Sequence, residues 1–109
     1  MLQREAKFAF GQVVRHRHYP FRGVIFDVDP TFNNSDEWWE AIPEDVRPRK
    51  DQPFYHLLAE NEQHYYMAYV SEQNLLVDES GEPVGHPHVA ELFGEFRGSF
   101  YEARTNRAH

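Results

Sequence analysis

Cysteine is missing from the chain, which excludes disulfides and thiolate metal sites and fits a reducing compartment. No stretch approaches the ~20 apolar residues that a membrane-spanning helix needs. Met1-Leu2-Gln3-Arg4 leads into no signal-peptide hydrophobic run. A cytoplasmic protein with no membrane partner is therefore expected. Lys and Arg are absent from Asp51 to Phe96, a stretch that carries Glu60, Glu62, Glu72, Asp78, Glu79 and Glu82. That stretch is expected to line an acidic face, opposite or beside any basic one. Also absent are a glycine-rich phosphate loop, an H-E-x-x-H helix and a nucleophile motif. Little remains from which to assemble a catalytic centre, so neither enzyme activity nor a cofactor is expected.

What is present suits one folded unit. At 109 residues, with 40% hydrophobic and 16% aromatic content, the chain can form a single modest core. Residues 8–77 are expected to hold that core, and 78–109 to form a tail. The net charge of −7 is uneven. Arg4, Lys7, Arg15, Arg17 and Arg22 precede Val24, opposed only by Glu5. A mostly acidic surface repels nucleic-acid phosphates, which confines any such binding to the basic end. Overall charge favours a protein partner instead.

Alternation of side chains gives the elements. Residues 11–30 read as two strands around a Tyr19-Pro20 corner, stopped at Asp29-Pro30. Val13, Arg15 and Arg17 share one face of the first strand, and Val14, His16 and His18 the other. In the second, Val24, Phe26 and Val28 are expected on one face, with Ile25, Asp27 and Asp29 opposite. Gly23 suits a bend, a bulge or a close backbone approach. Asn34 or Ser35 can cap a short helix over 36–42, which Pro43 ends. Residues 44–53 form a charged, proline-rich loop. Phe54–Glu60 and Tyr65–Val70 read as a strand pair, and 74–77 as a short fifth strand. In the tail, Val89, Leu92, Phe93, Phe96 and Phe100 fall on helical spacing, although Gly94 and Gly98 weaken it. A helix near 88–93 is expected, with fraying after Tyr101. The fold class is mainly β: a small antiparallel SH3-like barrel of about five strands with one or two short peripheral helices.

Four groups of residues could carry function. Arg15, Arg17 and Arg22, with His16 and His18, form the candidate DNA patch. Trp38 and Trp39 point about 100° apart on a helix, so one is expected in the core and the other at the rim of a protein-contact face. Tyr65 and Tyr69 face away from Tyr66 in the same way. Asp27 and Asp29 form a carboxylate pair, the basis of a contending reading as a metal-dependent or carboxylate-based hydrolase that also uses the histidines. His16, His18, His86 and His88 could offer zinc ligands, but two loose His-x-His pairs match no dedicated motif, and no metal is expected.

G-Q-V-V-R-H at 11–16, F-R-G-V-I-F-D-V-D-P at 21–30, P-F-Y-H-L-L at 53–58 and Y-V-S-E-Q-N-L at 69–75 together resemble the HspQ/YccV-like family. The four blocks occur in the family's order and span most of residues 8–77; the tail adds nothing to the likeness. The resemblance implies an SH3-like barrel without catalytic activity or bound cofactor. It also implies binding of hemimethylated DNA, or service in the stress response as an adaptor that promotes degradation by the Lon protease. Lon and its substrates would then be the protein partners. Exposed aromatics and open strand edges also fit a homo-oligomer.

Overall fold

The computed structural model describes residues 5–104, so Arg4 of the basic cluster lies outside the described residues. Five strands form one antiparallel sheet: β1 (Val13–His16), β2 (Arg22–Asp29), β3 (Phe54–Glu60), β4 (Tyr65–Ser71) and β5 (Leu75–Val77), ordered β4-β3-β2-β1-β5. Among the described residues no ladder joins the two edges, β4 and β5. Helix α1 (Asp36–Glu40) begins where the Ser35 hydroxyl accepts from Trp38 N at 3.0 Å, with Asp36 and Glu37 in the first turn. It stops at Ala41, short of Ile42, and a 3₁₀ turn at Glu44–Val46 completes this arm of the molecule. The mainly β class and its two short helices match the sequence reading; the number of strands does not, because the tail adds two more.

That tail departs from its helical pattern. Helix α2 (Val89–Leu92) lasts one turn, and β6 (Phe93–Phe96) then pairs with β7 (Tyr101–Ala103). Gly98 sits between them with φ of 93°, which a continuing helix cannot contain. Fraying after Tyr101 is not found as far as Ala103, because Glu102 and Ala103 continue β7; Tyr101 itself is buried, and its hydroxyl accepts from Val84 N at 2.8 Å.

The hairpin has a packing role. One face of the sheet buries Val14, Ile25, Tyr55, Leu57, Ala59, Val70 and Leu75. The other buries Val13, Val24 and Leu58 under Val84, Phe93 and Tyr101 from beyond Val77. A large apolar side chain contributes roughly 1.5–3 kcal/mol when fully buried, so this second layer stabilises the sheet substantially. It also explains why consecutive residues, Val13 and Val14, are both buried.

Strand β2 breaks its own period. Ile25 pairs with Leu57 and Asp27 with His56, leaving Phe26 as an extra residue in a β-bulge. Val24 and Phe26 therefore pack against the second layer, while Val28 packs with the first. The expectation that all three share a face is corrected by this one inserted residue. Gly23 is not the bulge. It pairs regularly with Val14 and Ala59, and a Cβ there would lie 2.7 Å from the Leu58 carbonyl oxygen.

Candidate functional site

The first hairpin sets Arg15 directly opposite Arg22, a cross-strand pairing of like charges that is unfavourable by itself. The next strand resolves it. Arg22 also faces Glu60, and its Nη1 meets Glu60 Oε2 at 2.6 Å while Nη2 meets Asp78 Oδ2 at 3.0 Å. The same guanidinium donates to the Pro83 and Glu82 carbonyls. Burial disfavours charge on both partners, yet Asp78 and Glu60 hold the Arg22 pKa above its usual value. Bonds from Arg22 and Ser80 likewise hold the Asp78 carboxyl below its own. Arg22 is thus a structural cation pinning the chain after β5 to the sheet. Arg17 donates from Nε to the Gln73 carbonyl at 2.9 Å, and Arg15 is exposed.

His16 is only 8% exposed, and its Nδ1 accepts from the backbone N–H of His18 at 2.9 Å and of Tyr19 at 3.0 Å. Those bonds require an unprotonated Nδ1. Burial, with His18 nearby, lowers its pKa to about 4. His86 repeats the device: Nδ1 accepts from His88 N at 3.1 Å, and burial, with His88 nearby, lowers its pKa too. Each His-x-His pair is therefore a local turn lock. Among the described residues the four histidines do not gather into a ligand set.

A different cluster does gather. Asp27, Asp29 and His56 place ligand atoms within 4.8 Å of one another. His56 Nε2 lies 2.9 Å from Asp29 Oδ2, and the Tyr69 hydroxyl donates to that same oxygen at 2.9 Å. Burial and then Asp29 raise the Tyr69 pKa to about 12, while Asn33 N donates back to its oxygen at 2.8 Å. The bonds tie three strands and the loop after β2 together. The bulge at Phe26 brings Asp27 opposite His56, so alternation alone did not reveal the trio.

The two tryptophans diverge as helical geometry requires, but neither is fully buried. Trp39 serves the arm itself: its Nε1 donates to the Pro48 carbonyl at 2.9 Å, and Arg47 and Lys50 sit 4.8 and 4.7 Å from its ring centre. Trp38 turns toward the sheet, edge-on to Tyr69 with centroids 5.3 Å apart. It lines an apolar groove of about 200 Å³ together with Phe21, Ile42, Tyr66, Ala68 and Ser71. Sequence reading placed one of the two tryptophans at the rim of a groove or partner surface without choosing between them, and it did not find the lining, which comes from separate parts of the chain.

A wider cavity of about 510 Å³ shares His16, Tyr19 and Phe21 with that groove, and in it Arg15 and Arg22 mingle with Glu60, Glu62, Asp78 and Glu82. Acids from the Lys/Arg-free stretch thus interleave with the basic hairpin. The expected separation into a basic and an acidic face is not found there.

Fold and site together define a small antiparallel β-domain with an aromatic groove and interleaved surface charge. Its lineage is specific: the chain belongs to the YccV-like family, whose model, described as "Hemimethylated DNA-binding protein YccV like", matches residues 6–99. Mouse F-box only protein 21 is 30% identical over 99 residues, 90% of this chain and 15% of the relative. The human and Pongo abelii proteins of the same name are each 29% identical over 99 residues. The chain therefore spans only about one sixth of these relatives. Comparison with solved structures gave no significant match. No helix among the described residues is long and apolar enough to cross a membrane.

Proposed function

We propose that the protein is a non-enzymatic, cytoplasmic binding module of the stress response that delivers client proteins to a Lon-type protease. The observation that carries this reading is how the charges are used. Arg22 is held by two carboxylates, Arg49 by Asp51, Lys50 by Asp36, and Arg97 by Glu95 and Glu102. The apolar groove beside Trp38, by contrast, is lined by no charged side chain. Such a surface suits polypeptide and gives phosphates nothing to pair with. The test is reconstitution. Purified Lon is expected to degrade a destabilised client several-fold faster when this protein is added, and an unchanged rate would reject the reading.

DNA binding is the second reading, favoured by the family's description and by Arg15 and Arg17, which form no salt bridge among the described residues. Affinity for hemimethylated against fully methylated duplexes across a salt series tests it. Equal, negligible binding to both at low salt would remove it. The hydrolase alternative draws on Asp27, Asp29 and His56, whose ligand atoms lie within 4.8 Å of one another, and none of the three lines either cavity described above.

A further inference from the structure

The groove beside Trp38 runs along an open strand edge, whose hydrogen-bond phase is fixed by the bonds at its two ends. Asn61 N donates to His64 O at 3.0 Å and Glu72 N to Pro53 O at 2.9 Å, one at each end of the β3–β4 ladder. Bonded pairs alternate in an antiparallel ladder, so Tyr66, Ala68 and Val70 bond inward to Ala59, Leu57 and Tyr55. Tyr65, Met67, Tyr69 and Ser71 therefore turn their N–H and C=O groups away from β3. β4 is the edge of the sheet, and among the described residues no backbone bond is made by Met67 or Tyr69 on that outer side. Such an edge is a ready template for another strand.

Three further observations describe what fits there. Ser71 lines the groove and is only 2% exposed, and its buried hydroxyl has no hydrogen-bond partner among the described residues. The groove's volume of about 200 Å³ falls below the ~300–1,000 Å³ of small-molecule sites, which suits individual side chains. No Asp, Glu, Lys or Arg lines it, whereas the arm beside it, residues 36–46, carries Glu37, Glu40, Glu44 and Asp45 in addition to Asp36, which already pairs with Lys50.

We infer that the β4 edge and the Trp38 groove together bind an extended client segment as an added strand, with apolar residues at alternate positions and Lys or Arg at its flanks. The outward groups of Met67 and Tyr69 supply the backbone bonds, and alternate side chains enter the groove between Trp38 and Tyr66. The acidic arm attracts the basic flanks. This inference rests on the adaptor reading and names the site by which that reading would operate. The last residues, Thr105-Asn106-Arg107-Ala108-His109, carry no large apolar side chain and make a poor occupant.

The test is fluorescence anisotropy on the full chain with a labelled peptide, Lys-Lys-Leu-Ser-Phe-Ser-Leu-Lys-Lys. Saturable binding is expected. N-methylation of alternate peptide nitrogens should weaken it about tenfold, because the backbone donors are lost. A Glu-flanked version should bind several-fold more weakly at low salt, with the gap closing as salt rises. Met67→Pro should also weaken binding about tenfold, since the N–H it removes faces outward, while Met67→Ala should not. Equal binding of the N-methylated peptide would overturn strand addition without relying on any variant. So would a concentration-dependent dimer that the peptide cannot disrupt, which would assign the edge to a second copy. Binding seen only after removal of residues 1–4 would assign the groove to the chain's own start. If Met67→Pro loses the peptide but still stimulates Lon, the edge does not serve the adaptor and the inference fails while the adaptor reading stands. If the parent protein binds the peptide yet never stimulates Lon, the adaptor reading fails and peptide binding stands alone.

Discussion

At the scale of the residue, burial has changed the meaning of His16. On the sequence it extends a basic patch; in the fold it is a neutral acceptor for two turn amides. Its pKa falls from an ordinary value of 6.5 to about 4 in the native state, so between those values the unfolded chain binds more protons. Stability then rises with pH across that window, and the contribution of His16 is lost as pH falls from 6.5 toward 4. The loss is on the order of 2–3 kcal/mol. Urea melts at pH 7 and pH 4.5 should show it as a lower midpoint at acid pH, and His16→Gln should reduce the difference. Asp78 acts in a lower window. Its depressed pKa gives stability that is present above 3.8 and lost as pH falls further. Trp39 also has a resolved job: its Pro48 bond and its two stacked cations hold the arm. Trp39→Ala should therefore make the amides of residues 36–46 exchange faster, with the sheet amides unaffected; equal exchange in parent and variant would contradict this.

At the scale of the element, β2 shows the limits of alternation. The pattern over 54–60 was legible because Tyr55, Leu57 and Ala59 keep strict period two in a regular ladder. Over 22–29 it was not, because one unpaired residue reverses the phase and local sequence carries no mark of it. Two substitutions probe this strand. Gly23→Ala sets a methyl group against the Leu58 carbonyl in a central strand that cannot shift alone, and a cost of about 1–3 kcal/mol is expected. Arg22→Met leaves Glu60 and Asp78 as partly buried, unpaired carboxylates and should cost about 3 kcal/mol. Chemical denaturation measures both. A change of under half a kcal/mol for Arg22→Met would mean that the guanidinium is not structural.

At the scale of the whole molecule, charge bounds how strongly a duplex can be held. The chain carries −7, and several of its cations are already matched by carboxylates. Duplex binding confined to the basic end rests on Lys7, Arg15 and Arg17 among the described residues, while Arg47 and Arg104, whose hydrogen bonds go to backbone carbonyls, lie elsewhere in the chain. Three phosphate contacts predict a log–log salt slope near −3 at most, well short of a dedicated DNA-binding protein. A steeper measured slope would show that further cations take part. Arg22→Met should leave that slope unchanged, which separates the structural arginine from those able to reach phosphate.

The sequence by itself determined the mainly β class, the capped start of α1 at Asn34 or Ser35, the pairing of β3 with β4, and the family to which the chain belongs. Each rests on near-neighbour patterning or on ordered blocks of residues. Only the tertiary structure decided that the tail closes a second layer, that Arg22 is buried among acids, and that β4 is left as an open edge beside Trp38. These depend on contacts between residues far apart in the chain, such as Arg22 with Asp78 and Gly11 with Tyr101, which local periodicity does not encode.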